Sequence, residues 1–209
     1  MDELLDGSDE LHLEILSLLE DTPAFPDIRP EIAYIACSVA LEHALSLRLL
    51  VRTECFTSAI ALMRLQFEAL TRGMWLYYAA TDMQGEALAS ELTLDTDRGA
   101  RKLPMLSQML EAVEGKAPEE ALRMLLQFKE VNWHGMNSFV HSGIHPLQRH
   151  IDGYPQELIE NVVRSSNGLN TMTGMLGAIL TGDPQLFKEA QALQTRHAHV
   201  LPPLISPLP

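Results

Sequence analysis

Apolar residues recur at intervals of three and four along most of the chain, and runs that alternate apolar and polar residues are scarce. The three-and-four spacing places apolar side chains on one face of a helix, whereas a half-buried strand needs alternation. Leu, Ala, Met, Glu and Gln are abundant, and all of them favour helices. The chain is therefore predicted to be all-α, a single helical bundle of six to eight helices.

Proline, glycine and short polar runs divide this pattern into segments. The predicted helices cover about 2–20, 30–52, 54–80, 84–94, 101–114, 118–141 and 156–181, with a last helix that begins near 184. The polar run 95–99 is predicted to be a connector, and 142–155 an ordered loop. No repeat or long linker divides the bundle. We therefore expect one domain over residues 1–200 and a Pro-rich, non-helical tail over residues 201–209.

The charge balance restricts the classes of partner. Lys and Arg total 15 against 28 Asp and Glu, which gives a formal net charge of −13. Binding to nucleic acid over a large area needs a basic surface, so no broad nucleic-acid surface is expected. No run of about 18 uninterrupted apolar residues and no signal-peptide pattern occurs, which predicts no membrane segment and a cytoplasmic protein. Cys37 and Cys55 are too few for a disulfide scaffold.

A polar stripe interrupts the third predicted helix. Arg64, Glu68 and Arg72 follow one another at four-residue spacing, with Trp75 beside them. This spacing stacks the side chains and lets the carboxylate meet a guanidinium above and below. The helix is apolar on so many other sides that it is predicted to be buried. The stripe is then either a solvent-facing row of ion pairs or the polar wall of an interior cleft.

A second candidate region is rich in histidine. Four of the eight histidines lie within 17 residues, at positions His134, His141, His145 and His150. If the helix extends through residue 141, then Asn137 and Ser138 share a face with His134 and His141. Histidine can act as an acid or base, a metal ligand or a hydrogen-bonding strut. His134 and His141 are two turns apart, about 10 Å, so the spacing is poor for a metal, and no metal or cofactor is expected.

The two regions together resemble a known arrangement. The run Arg-x-x-x-Glu at 64–68, followed by Asn-Ser-x-x-His-Ser-Gly at 137–143, resembles motifs of a group of uncharacterised bacterial all-α domains. These are similar in layout to the HEPN superfamily of helical bundles, several of whose members are toxin or defence ribonucleases. The resemblance spans roughly residues 30–180. It implies a setting in bacterial defence or a toxin–antitoxin-like system, and it favours a homodimer.

The catalytic pattern of the HEPN ribonucleases, Arg-x(4–6)-His, is absent from the chain. No histidine has an arginine five to seven residues before it, and only Lys129 stands five residues before His134. Lysine is a poor substitute because it lacks the bidentate hold of arginine on phosphate. The resemblance therefore implies an inactive or differently tasked member.

Three functional hypotheses follow. The first is a non-enzymatic or ligand-binding HEPN-like module, and the second is a metal-independent endoribonuclease or phosphodiester-processing enzyme that uses His141 or His134 with Arg64. The third is a metal-dependent hydrolase. The candidate site residues are Arg64, Glu68, His134, Asn137, Ser138 and His141. They form either a buried structural network, in which Glu68 bonds His141, or a cleft for a ligand or substrate.

Other residues favour association with a partner. The large aromatic residues Trp75, Tyr77, Tyr78 and Trp133, together with Met-rich helices, offer adaptable apolar surfaces. Small residues at Gly168, Gly174 and Gly177 allow helices to approach closely, inside a subunit or between subunits. We expect a homodimer, with a protein partner or a small ligand as further binding partners.

Overall fold

A computed structural model describes residues 1–100, with no side chain at position 100, and residues 103–203. These residues form ten α-helices and one short 3-10 helix and contain no strand. The helices are α1 (Asp2–Leu19), α2 (Ile28–Arg52), α3 (Phe56–Tyr78), α4 (Asp82–Ala89), α5 (Leu94–Ala100), α6 (Leu106–Val113), α7 (Glu119–Val140), α8 (Ile144–Asp152), α9 (Gln156–Thr181) and α10 (Pro184–Arg196), followed by the 3-10 helix Ala198–Val200. The all-α prediction is confirmed.

The predicted number of helices, six to eight, is too low for the described chain because two segments were expected to be non-helical. Helix α5 occupies the predicted connector, and Thr93 and Thr96 cap its start by exchanging backbone-to-hydroxyl hydrogen bonds of 2.8 and 3.2 Å. Helix α8 occupies the predicted loop. Its Pro146 lies in the first turn, where the missing N–H has no partner within the helix to lose.

The core is built around α2 and α3, which form a hairpin through a short turn at residues 53–55. Helix α9 packs against both of them, and α6 and α7 pack against α3. Phe67 and Leu70 of α3 and Leu47 of α2 are completely buried. Gly73 of α3 lets these helices approach closely, because a Cβ there would lie 3.2 Å from Leu176 Cδ2 of α9.

The glycines of α9 permit close contacts within the chain. A Cβ at Gly174 would lie 3.0 Å from Ile15 Cγ2, and one at Gly177 would lie 2.8 Å from Leu19 Cδ1, so both positions receive side chains of α1. Gly168 faces Pro202 at 3.2 Å. The close approach predicted from these small residues therefore occurs inside the subunit.

The C-terminal segment follows the 3-10 helix. Residues 201–203 are not helical, as expected for the Pro-rich tail. The remainder of the predicted tail, residues 204–209, lies outside the described residues.

Helix α2 combines a core position with an apolar exposed side. Its 25 residues are long and apolar enough to cross a membrane by length and composition alone, and 44% of the qualifying window is buried. A core helix of a soluble protein passes the same test, so this is weak evidence for a span. The absence of a membrane segment, expected from uninterrupted apolar runs, stays a prediction.

Candidate functional site

Arg64 of α3 is held from three sides by residues of α3 and α7. Its Nε donates a hydrogen bond to Glu68 Oε1 at 2.8 Å, and its Nη1 lies 3.3 Å from Nε2 of His141. Its Cζ lies 4.8 Å from the centroid of the Trp133 ring, within the range of a cation–π contact. These four residues are called the Arg64 cluster. It joins two helices at a partly exposed position, since 18% of the Arg64 side chain and 31% of that of Glu68 are exposed.

The contact with Arg64 restricts what His141 can do. A guanidinium group can only donate, so a hydrogen bond between the two side chains uses Nε2 of His141 as its acceptor. While the contact persists, Nε2 is occupied and does not take up a proton from a substrate. A role for His141 as a general base requires this contact to break, or requires chemistry at the other ring nitrogen.

The direct bond expected between Glu68 and His141 does not form, and that part of the buried-network hypothesis is wrong. Arg64 stands between the two groups, because its longer side chain spans from α3 to the end of α7 while Glu68 bonds it along α3. The expectation of a guanidinium on both sides of Glu68 is half right. Among the described residues, the ion pair of Glu68 is with Arg64 and none is found with Arg72.

Ser138, considered above as part of a buried network or a ligand cleft, instead holds the start of α8. Its Oγ accepts the backbone N–H of His145 at 3.0 Å, so its side chain caps the N-terminus of α8. The Ser138 carbonyl also accepts the N–H of Gly143 at 2.7 Å, and a Cβ at Gly143 would lie 2.7 Å from Ser138 Oγ. Ser142 between them has a φ of 52°, in the left-handed region. Much of the Asn-Ser-x-x-His-Ser-Gly motif thus forms the tight junction between α7 and α8.

The remaining candidates do not converge on Arg64. His134 is exposed on α7, and Asn137 is half-buried with its carbonyl accepting the N–H of His141 at 3.0 Å. His145 stacks on Phe139, with the ring centroids 6.3 Å apart. In the described part of the chain, no group of three or more His, Cys, Asp or Glu side chains is placed to hold a metal ion.

Aromatic residues on α3 and α7 pack against the Trp133 ring of the Arg64 cluster. Phe67 stacks on Phe128 with a centroid distance of 5.0 Å and meets the edge of Trp133 at 6.4 Å. Because Phe67 belongs to the core, the position of the Trp133 ring is tied to the packing of α3 against α7. Trp75, expected as part of a surface for association, is instead a core residue with 2% of its surface exposed.

A second polar cluster, which the sequence reasoning missed, joins α1 to α9. Asn167 Nδ2 donates to Ser8 Oγ at 2.7 Å and to the Val200 carbonyl at 3.0 Å. Asn170 Nδ2 lies 3.3 Å from Nδ1 of His12. Ser8, His12, Asn167 and Asn170 are all buried, and we call them the α1/α9 seam. The available signal was the pair of asparagines three residues apart on the apolar face of a long helix.

Burial dominates the acid–base behaviour of this seam. Desolvation lowers the pKa of His12 to about 4, and the nearby positive charge of Arg48 adds to the shift. The hydrogen bond from Asn170 and the charge of Asp9 act in the opposite direction without cancelling it. His12 is therefore neutral near pH 7, and Asn170 donates to its unprotonated Nδ1.

The described residues are helical apart from turns and short connections, and the Arg64 cluster lies partly exposed between α3 and α7. Residues 37–203 match the model of a family of unknown function, DUF6988, and the chain belongs to this family. Searches of curated proteins and of solved structures find no match.

Proposed function

We propose that this DUF6988 chain is a non-enzymatic, ligand-binding helical module whose Arg64 cluster binds an anionic group such as a phosphate. The observation that carries the proposal is the fixed orientation of Arg64. Its Nε bonds Glu68, its Nη1 contacts His141 and its guanidinium lies over Trp133. A planar guanidinium that is already oriented loses little freedom on pairing with an anion.

Free donor capacity remains on the guanidinium. Among the described residues no partner is recorded for Arg64 Nη2, and the side chain is 18% exposed. A ligand oxygen can therefore reach it from solvent. Lys129 adds a second cation, with Nζ 6.0 Å from the centroid of the Trp133 ring. The cluster offers a small anion site on a protein whose formal net charge is −13.

The wider setting is part of the same proposal. The HEPN-like resemblance of the motifs at 64–68 and 137–143 supports a role in a bacterial defence or toxin–antitoxin-like system, in a cytoplasmic homodimer. Because the ribonuclease pattern Arg-x(4–6)-His is absent, a binding role fits the chain better than catalysis. Light scattering at micromolar concentration tests the dimer, and a monomer mass would contradict it.

A titration with pyrophosphate tests the anion site. Nuclear magnetic resonance of the Trp133 indole N–H follows binding. Sodium chloride is added so that the ionic strength, and with it the electrostatic screening, stays constant during the titration. We expect a saturable shift that the Arg64→Gln variant weakens by about tenfold or more. Arg123→Gln is the matched control, because Arg123 also pairs with a glutamate on its own helix, Glu120, away from the cluster. No saturable shift, or an equal shift in Arg64→Gln, would contradict the proposal.

The second candidate function is metal-independent cleavage of RNA. It is favoured by the position of His141 beside Arg64, since a substrate that opens their 3.3 Å contact would meet an imidazole for a ribose hydroxyl and a guanidinium for a phosphate. The test is incubation of the wild-type protein with mixed RNA in the presence of a chelator. Cleavage that persists there and is lost in both His141→Ala and Arg64→Gln would establish this function in place of the first. Cleavage lost on chelation would support the metal-dependent hydrolase instead.

A further inference from the structure

An open apolar groove runs between α1 and α2, separate from the Arg64 cluster. Its volume is about 580 Å³. We call it the α1/α2 groove. It is lined by Leu13, Leu16, Ser17 and Leu19 of α1, by Glu20 directly after α1, and by Tyr34, Cys37, Ser38 and Leu41 of α2. Leu13 and Leu16 are 63% and 42% exposed, so large apolar side chains on its wall face solvent.

Two polar contacts join α1 to α2. Arg48 Nε donates to Asp9 Oδ1 at 2.6 Å, and the Tyr34 hydroxyl donates to the Leu19 carbonyl at 2.9 Å. These contacts show that α1 and α2 run antiparallel. The groove lining on this side runs from Leu13 to Glu20, about 10 Å of helix at 1.5 Å per residue. The groove is therefore long enough to receive about two turns of a partner helix.

The apolar surface continues beyond the groove along the outer side of α2. Exposed apolar residues recur there at helical spacing, namely Ile35, Val39, Leu45 and Leu49. Together with Leu13 and Leu16 they give six large exposed apolar residues to the two helices that border the groove. A concentration of exposed apolar side chains on a soluble protein marks a site of interaction, whereas single ones do not.

The part of the chain that forms the groove carries an excess of negative charge. Residues 1–52, all of which the structure describes, contain eleven Asp and Glu against three Arg and no Lys. Each arginine is paired, Arg29 with Asp82, Arg48 with Asp9, and Arg52 with Asp6 and Asp9. Glu20 lines the groove, and Glu10 and Glu42 are exposed on the two helices that form it, where the three arginines are already engaged.

We infer that the α1/α2 groove binds a cationic amphipathic helix of a partner protein. Leu or similar side chains at helical spacing would fill the apolar floor, and flanking Lys or Arg would meet the acidic rim. A second copy of this chain in the groove would bring its own acidic face against Glu20 and Glu42. An anionic membrane is opposed by the same carboxylates, since its surface carries negative charge.

The groove is suited to docking rather than to covalent chemistry. Cys37 lines it, but burial raises the pKa of this thiol to about 12. The thiolate is the nucleophilic form of cysteine, so Cys37 stays protonated and unreactive near pH 7. Its small apolar side chain contributes to the floor against which a partner helix would pack.

Fluorescence anisotropy with a synthetic peptide tests the inference. The probe is a fluorescein-labelled 14-residue peptide of Leu and Lys, with Leu at helical spacing, in about 150 mM salt. We expect it to bind the wild-type protein in the micromolar range, and a Leu13→Ser/Leu16→Ser double variant to bind about tenfold more weakly. Val131→Ser/Leu147→Ser is the matched control, because these exposed apolar residues lie on α7 and α8. Urea unfolding of each variant verifies that it is folded.

Further variants test two points separately, namely how much charge contributes to peptide binding and whether the peptide binds at the groove. Glu10→Gln/Glu42→Gln should weaken binding several-fold and reduce its dependence on salt. Arg64→Gln should leave peptide binding unchanged, so that the groove and the proposed anion site are tested independently.

Four results would overturn the inference. The first is equal binding of a peptide with the same composition but scrambled spacing, and the second is equal binding by the Leu13→Ser/Leu16→Ser variant. The third is a wild-type dimer in light scattering that this variant converts to a monomer, which would place a second copy in the groove. The fourth is binding to vesicles of phosphatidylserine and phosphatidylcholine that this variant abolishes.

Discussion

The Arg64 cluster and the α1/α9 seam each join two helices through polar side chains, but they differ in their access to solvent. Asn167, Asn170 and Ser8 are completely buried in the seam, whereas the Arg64 side chain keeps 18% of its surface exposed. In the seam, Oδ1 of Asn167 and Oδ1 of Asn170 are buried without a recorded partner. The seam hydrogen bonds are therefore shielded from solvent, whereas those of the Arg64 cluster are open to it.

This difference separates a polar contact that specifies packing from one that can bind a ligand. The seam hydrogen bonds fix the register of α1 against α9, because any shift would leave more buried groups unpaired. Arg64 instead presents donors to solvent while its neighbours fix its orientation. We therefore expect substitutions in the seam to change stability strongly, and substitutions in the cluster to change binding more than stability.

The largest effect is expected from pH acting on the seam. The pKa of His12 is about 4 in the folded protein against 6.5 as its ordinary value, so the unfolded chain binds a proton between these pH values that the folded chain does not. The contribution of His12 to the free energy of unfolding is fully present above pH 6.5. It is lost as the pH decreases to about 4, and the total loss is about 3 kcal/mol. Urea unfolding at several pH values measures the loss. His12→Gln should flatten the profile in this window, and an unchanged slope would refute the assignment.

Removal of a seam side chain is the next largest change. Asn167→Ala deletes the donors to Ser8 and Val200 and should lower the free energy of unfolding by about 2 kcal/mol, since buried acceptors lose their partners. Asn132→Ala is the control, because Asn132 is half-buried and its side chain donates to the Phe128 carbonyl of its own helix. The urea midpoint of the control should change little. Equal losses of unfolding free energy in the two variants would contradict the expectation that the buried seam contributes more to stability than a half-buried hydrogen bond.

A smaller effect is expected at the junction of α7 and α8. Ser138→Ala removes the side chain that caps α8 and should cost about 1 kcal/mol. Hydrogen exchange of the His145 amide should become faster, since it loses its acceptor. Ser142→Ala serves as the comparison, as Ser142 is exposed and has no recorded part in the cap. Loss of pyrophosphate binding with unchanged stability in Ser138→Ala would show instead that Ser138 belongs to the ligand site.

The smallest stability change is expected within the Arg64 cluster. Glu68→Gln weakens a partly exposed ion pair on one helix, and such pairs contribute about 0.5 kcal/mol. Its thermal midpoint should match that of Glu120→Gln, which weakens the exposed pair with Arg123. A loss as large as that of Asn167→Ala would mean that the cluster, like the seam, is primarily structural.

The long helices could be predicted from the sequence because a single periodic pattern of apolar residues determines each of them. The three-and-four spacing of apolar residues predicts the long helices because a single buried face determines them. Helix α8 was missed because it is only nine residues long, contains Pro146 and is flanked by Gly143 and Gly153, although Ile144, Leu147 and Ile151 recur in it at helical spacing. Its cap, Ser138, lies six residues before its first residue and on another helix. A local scan for capping residues does not find such a contact.

The candidate site was predicted in part. Four-residue spacing correctly pairs Arg64 with Glu68, since both lie on one helix. The spacing carries no information on which of the two side chains meets His141, because this depends on the distance between α3 and α7. The α1/α9 seam escaped notice for the same reason, as its partners belong to helices at opposite ends of the sequence.

The contacts of α1 also bear on the order in which the chain folds. Glu14 bonds Arg196 and His197, which lie 182 and 183 residues further along the sequence. Contacts of such high separation form slowly, because a long loop must close before they gain any energy. During synthesis α1 leaves the ribosome long before α9 and α10, which receive it. Its apolar face therefore waits for these partners while the intervening helices are made, and during that interval the nascent chain is exposed to aggregation.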